Sequence, residues 1–482
     1  MRNPLVWGSV DRGMPTDHHL TSRTIRLASL ALVAGFICQS AIMIARETHL
    51  YADGVHYLYA LMARPRPMGW DFSRRFAHLV TQIPVVTGLH AGITDVSALS
   101  RLLGIGLYLP HTAGLMACLW IARERISFMI WPLLSAAAVT SNADFFIVSE
   151  SHQLVAFFWP LVLLFTLRQK WTRRDYLLAY LFAVPTLLSY ESMITLGPVL
   201  AGLAAWRAWR AGREADVVEQ HRFVAFAVYF VAGIAIALWW SINPRNPANF
   251  EGFVSGLSFY RDADGNWHLP AVLSVAGILL VAAMLFFPGL EVRLRRVLLA
   301  AFAIACAVVA LWPFIRPDSV VLMLHLRART LNALLPPVLA LLLMLMIRRP
   351  PDSTRLLRAF AVVGMLAASQ IVWHSIAARH WAQYLELFRS EVASSEGLLS
   401  YHDTQLSLRM VNGSPVAGMN LTWVMPQMSI LLSPAGRVKS IIYNPDQQGW
   451  TPFDPARPEQ LADLSRYGIT YEYLSSLSPS PQ

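Results

Sequence analysis

The sequence predicts an all-α polytopic membrane protein with about eleven transmembrane helices, a large first external loop of interfacial helices and a small external C-terminal α/β or α+β domain. Three observations carry this expectation. Of 482 residues, 55% are hydrophobic and only 14% charged, and the mean hydropathy is +0.45; a soluble domain carries roughly 25% charge. Apolar runs of about 16–24 residues recur from Ile25 to Ala378, long enough for a helix to cross about 30 Å of hydrocarbon. Arginine clusters fall between alternate runs, as the positive-inside tendency requires. A soluble enzyme, a disordered chain and a disulfide scaffold are excluded.

The runs lie at 25–46, 99–122, 126–143, 153–168, 175–190, 192–209, 223–242, 269–287, 295–315, 331–347 and 357–378. The first is too long for a signal-peptide core and reads as a retained span after a cytoplasmic tail, 1–24. Arg23 and Arg26 precede it; Arg123 and Arg125, the group Arg168 to Arg174, the group Arg207 to Arg222, Arg293 to Arg296 and Arg348 to Arg358 mark every second loop. This alternation puts the N-terminus in the cytoplasm and the C-terminus outside; the short loops and Arg/Ala-rich composition point to a bacterial inner membrane, which makes that outside the periplasm. The alternation also explains the net charge of +10 without nucleic acid. Cys38, Cys118 and Cys306 all lie within predicted spans, so no disulfide framework or thiolate zinc site is available.

The stretch 76–94 is apolar enough to count as a span, but counting it would reverse every later loop. The segment 47–98 therefore reads as one external loop with helices along the membrane surface. Its first helix is signalled by Val55, Leu58, Tyr59 and Met62. After 378 the apolar character falls. A helical pattern (Trp381, Leu385, Phe388, Val392) leads into strand-like Ser429–Leu432 and Lys439–Tyr443, so 379–482 is expected to form the external domain, ending in a Ser/Pro tail at 475–482.

Charged groups beside a bilayer are costly and need a reason. The richest set follows the first span: Glu47, His49, Asp53, His56 and Tyr57. On a helix starting at Asp53, Asp53, His56 and Tyr57 share one face; Asp53 can also cap that helix. A divalent metal on Glu47, His49, Asp53 and His56 is conceivable by ligand type, but the spacing fits no recognised geometry, and no cofactor is called for. Asp144, Glu150 and His152 form a second polar group, readable either as site residues or as a turn between helices. Glu191 breaks two apolar runs at SYESM, holding substrate hydroxyls or satisfying a helix end.

A first span followed by an acid and, four residues on, a Tyr at the head of a large external loop resembles the GT-C glycosyltransferase superfamily. That polyprenyl-phosphate-sugar-dependent class includes protein O-mannosyltransferase-like and aminoarabinose-transferase-like enzymes. Here the pattern is Asp53-Gly54-Val55-His56-Tyr57, and Pro84, Gly92 and Arg101 match the family's later Pro-helix, Gly and Arg. Gly54 stands where many members have a second acid. The resemblance covers roughly 25–125 by motif and the rest by layout. It implies an inverting hexosyl- or pentosyltransferase, with a polyprenyl-phosphate sugar donor, a lipid or envelope-glycan acceptor and Asp53 as general base.

Such chemistry needs one carboxylate for the acceptor proton and cations for the departing phosphate. Arg74, Arg75 and Arg101 form one external basic set; His325, Arg327 and Arg329, in HLRART, form another. A guanidinium fork suits phosphate, although snorkelling to lipid headgroups or, for Arg101, pairing with Asp95 would also account for them. External aromatics such as Trp70, Tyr260 and Trp267 could stack on sugar rings or belong to an interface belt. Two other classes stay open: an O-antigen polymerase or ligase, for which HLRART would be central, and a transporter, for which internal repeats would be expected.

Overall fold

The structure, a computed structural model, describes residues 17–51, 53–68, 74–139, 150–243, 267–315, 325–407, 422–446 and 461–474; for 17–21, 139, 325–330 and 422 it describes backbone only. The helices are α1 (Asp17–Ala45), α2 (Asp53–Ala63), α3 (Arg75–His90), α4 (Val96–Ile121), α5 (Ile130–Val139), α6 (Glu150–Leu167), α7 (Arg173–Thr186), α8 (Met193–Arg213), α9 (Val217–Ile242), α10 (Leu269–Phe286), α11 (Val292–Ile315), α12 (His325–Arg348), α13 (Ser353–Ser394) and α14 (Met425–Leu432). Two short strands, β1 (Gly397–Ser400) and β2 (Ser440–Tyr443), complete them.

Among the described residues, eight helices are long and apolar enough to cross a membrane: α1, α4, α6, α9, α10, α11, α12 and α13. The other three predicted runs also form helices, but less extended or less apolar ones. α5 has 10 residues behind a 3₁₀ turn at Ile126–Met129, and α7, with 14 residues, rises only about 21 Å. α8 has 21 residues but ends in the Arg-bearing turns WRAWRAGR.

Several helix starts are closed by side chains that accept their free N–H groups. Asp95 accepts the Ala98 N–H at 2.8 Å and Asp352 that of Arg355 at 2.8 Å, while Thr172 and Asp175 form a capping box on α7. Asp95 is thus occupied with its helix and forms no ion pair with Arg101 among the described residues. α6 is central: 89% of it is buried, against 22% for α11, which turns most of its surface outward. Phe165 of α6 meets Trp171, Phe223, Phe226 and Phe230 in an aromatic cluster against α9.

α4 holds its neighbours close through glycine. A Cβ on Gly114 would lie 2.5 Å from the Ala156 carbonyl oxygen of α6, and one on Gly106 would run into the Thr81 carbonyl of α3. Gly106→Ala is therefore expected to push α3 off α4 and cost about 2–3 kcal/mol as overpacking. A drop in the thermal midpoint of the detergent-solubilised protein checks it.

α13 runs unbroken for 42 residues, so the predicted span 357–378 and the helical pattern after it are one rod of about 63 Å. It carries the C-terminal module at its far end. Ser440 Oγ donates to the Val392 carbonyl at 2.9 Å, and β1 pairs parallel with β2, Gly397 opposite Ser440. A parallel pair requires a crossover, and α14 lies in it, its Ser429 Oγ accepting the Ile442 N–H at 3.0 Å. The strand expected at Ser429–Leu432 is thus the second half of α14. A short apolar run does not distinguish helix from strand by period, and Pro426 at the first turn favours helix initiation.

Candidate functional site

The predicted external loop forms α2 and α3, joined to α1 by a 3₁₀ turn at Thr48–Leu50. α2 begins at Asp53, as the apolar spacing predicts, and buries Val55, Leu58 and Met62. Tyr57, on the opposite face with Asp53 and His56, is buried as well. Its hydroxyl donates to Glu150 Oε1 at 3.0 Å, across 93 residues of sequence.

Glu150 sits at the first residue of α6 with a side chain only 5% exposed. Its Oε1 also meets His78 Nε2 at 3.1 Å. The neighbours fix the direction of that contact. The Met68 N–H donates to Gln82 Oε1 at 2.8 Å, so the Gln82 amide nitrogen faces His78 Nδ1, 3.1 Å away. Nδ1 must then accept, and the ring proton sits on Nε2 and points at the carboxylate. Glu150 is thereby a buried carboxylate with two donors on one oxygen. The His78 ring meets the Tyr57 ring edge-on, 5.1 Å between centroids.

Burial pushes the Tyr57 phenol well above its ordinary range, and the negative charges of Glu150 and Asp53 push it further, opposed by Arg74. Both carboxylates and one guanidinium therefore lie within electrostatic reach of a single hydroxyl. Arg74 Nη2 donates to Glu191 Oε1 at 3.0 Å and stands 4.9 Å from the Tyr190 ring centre. The Phe76 N–H donates to the Leu188 carbonyl at 2.9 Å, so the break between α7 and α8 is pinned to the start of α3.

One turn after Asp53, His56 lines a cleft of about 1070 Å³. Burial lowers His56 to about 4, so the imidazole is neutral near pH 7. Arg64, Arg66 and Arg75 line the cleft as well, and so does Asp463 from the C-terminal module. Leu79 of α3 also borders it and, with Ile83, is exposed. A cationic cleft with an apolar lip suits an anionic headgroup carried on a lipid tail.

No protein-family model matches the chain, and neither a curated protein nor a solved structure matches it.

Of the residues singled out in the sequence, Asp53, Tyr57, Arg74, Glu150 and Glu191 are linked around the Tyr57 hydroxyl, whereas His56 and Arg75 are the ones that line the neighbouring cleft. His152 belongs to an adjoining group: Asn332 of α12 donates to Ser151 Oγ at 2.7 Å and approaches His152 Nδ1 at 3.4 Å. Arg101 is exposed on α4 and makes none of these contacts. His325, Arg327 and Arg329 lie in the first turns of α12, their side chains outside the described residues, as are Asp144, Trp70 and Tyr260 altogether. Trp267 is exposed just before α10.

The four residues weighed for a metal are drawn to different neighbours. Glu47 pairs with Arg389 of α13, and its carbonyl accepts the Trp381 indole N–H at 2.9 Å. His49 Nε2 lies 2.8 Å from Ser100 Oγ of α4. Among the described residues, no three His, Cys, Asp or Glu side chains are grouped to hold a metal.

Sequence reasoning missed His78, Gln82, Arg64 and Arg66. The first two are a polar i, i+4 pair on α3, which by pattern alone resembles any solvated face. The Arg-Pro-Arg-Pro run at 64–67 was the available signal for the others: alternating prolines hold two guanidinium groups just beyond the end of α2.

Proposed function

We propose that the chain is a membrane glycosyltransferase of GT-C type. It moves a sugar from a polyprenyl-phosphate carrier to a lipid- or envelope-linked acceptor, in an inverting displacement with Asp53 as general base. The observation that carries this reading is the convergence of Asp53, Tyr57 and Glu150 at the head of the first loop, beside a cleft lined by Arg64, Arg66 and Arg75. The acceptor oxygen attacks the anomeric carbon while Asp53 takes its proton. The bond from that carbon to the phosphate oxygen breaks, and its electron pair leaves with the polyprenyl phosphate, whose charge the arginines balance.

Charge distribution supports an external site. Arg26 donates to the Arg123 carbonyl, Arg168 pairs with Glu124 and Asp175, and Arg207 donates to the Gln169 carbonyl, tying together the end of the bundle remote from α2. The positive-inside tendency assigns that end to the cytoplasm and the α2–α3 end to the periplasm. The test is incubation of the protein in lipid nanodiscs with a panel of polyprenyl-phosphate-linked labelled sugars and a membrane-lipid extract. Label is expected in an acceptor lipid or glycan. Failure to transfer from any donor, together with solute uptake in proteoliposomes, would overturn the reading in favour of a transporter.

A further inference from the structure

The cleft beside His56 has walls from opposite ends of the chain. Arg64, Arg66 and Arg75 come from the first external loop, and Asp463 from the C-terminal module. That far wall is fastened to α2. The Ala462 N–H donates to the Tyr59 hydroxyl at 2.9 Å, and the Tyr471 hydroxyl donates to the Ala462 carbonyl at 2.9 Å. Arg466 Nη2 and the Tyr467 hydroxyl both donate to the Met62 carbonyl, at 2.7 and 3.1 Å. Met62 is in the last turn of α2, where carbonyls have no helical partner, so these bonds close the helix and set the position of Asp463 together.

Asp463 is fully exposed, and the hydroxyl and backbone N–H of Ser465 hold its carboxyl below the usual range. The backbone bond, at 3.0 Å to Oδ1, caps the turn Ser465–Tyr467. Capping alone does not call for a charge, because Ser or Asn serves as well. A fixed anion in a cleft of three arginines weakens the hold on any phosphate, and a carboxylate can only accept hydrogen bonds. The ligand that turns this to advantage carries O–H donors next to its phosphate.

Resting on the glycosyl-transfer reading of this cleft, we infer that Asp463 recognises the sugar: its second carboxylate oxygen accepts hydrogen bonds from glycosyl hydroxyls while the arginines hold the phosphate. The test uses the full-length protein in nanodiscs and two probes of equal charge, a polyprenyl-phosphate hexose and the methyl phosphodiester of the same lipid. The wild type is expected to bind the hexose probe about tenfold more tightly. Asp463→Asn keeps the capping oxygen and is expected to bind both probes alike, with the methyl probe held at least as well as before. Arg466→Ala serves as the control for loosening of the wall and is expected to lower the thermal midpoint, which Asp463→Asn leaves unchanged. If Asp463→Asn keeps the tenfold preference, or loses it only together with a fall in midpoint like that of Arg466→Ala, the residue is a turn cap and the inference is overturned. A wild type that prefers neither probe also overturns it. A wild type that binds neither takes the glycosyl-transfer reading with it.

Discussion

Asp53→Asn is expected to lower sugar transfer by about 10³-fold while leaving the thermal midpoint close to that of the wild type. Asp53 opens α2, and a side-chain oxygen there can satisfy the free N–H groups of the first turn. Asn retains that oxygen and the size of the side chain, but it cannot take a proton from an attacking hydroxyl. A residue that only capped the helix would tolerate the exchange with almost full activity. The two roles therefore separate in one variant, measured as kcat/KM with the best donor of the panel alongside a melting curve. Asp53→Ala removes both functions and is expected to lose activity and, in addition, about 1 kcal/mol of stability.

The second large effect is at Glu150. Glu150→Ala leaves the Tyr57 hydroxyl and the His78 Nε2–H without their acceptor in a buried site, where each orphaned donor costs about 1–3 kcal/mol. A strong fall in thermal midpoint is expected, with transfer lost at the same time. Glu150→Gln keeps the shape and one acceptor oxygen, so its midpoint is expected to fall less. Its transfer still drops, because the negative charge facing Tyr57 and His78 has gone. Tyr57→Phe combined with Glu150→Ala is expected to cost less than the sum of the two single changes, since both remove the same hydrogen bond. Full additivity would show that the bond contributes nothing to either stability or transfer.

Local features were legible in the sequence, and long-range partners were not. The start of α2 at Asp53 followed from Val55, Leu58 and Met62, and most of the spans from apolar length. Glu150 could be named as a candidate but not given its partners, because Tyr57 and His78 approach it from segments more than 70 residues away. Arg74 was weighed as a phosphate ligand, yet it is held by Glu191, which the sequence offered only as a carboxylate at a helix break. The arginines of the cleft that escaped attention, Arg64 and Arg66, sit in a proline-punctuated link that no periodicity marks. The strand reading at 429–432 failed because a run of four apolar-rich residues fits either period.

The unbroken length of α13 makes it a mast, footed in the bilayer and bearing the C-terminal module aloft. No proline interrupts it, and a straight rod of about 63 Å magnifies any lean: a tilt of about 5° at the foot carries the tip sideways by about 5 Å. The Glu47–Arg389 stay and the Trp381 indole brace that mast against the top of α1. Rigging of this kind keeps the far rim of the arginine cleft in register with a floor built some 400 residues earlier in the chain.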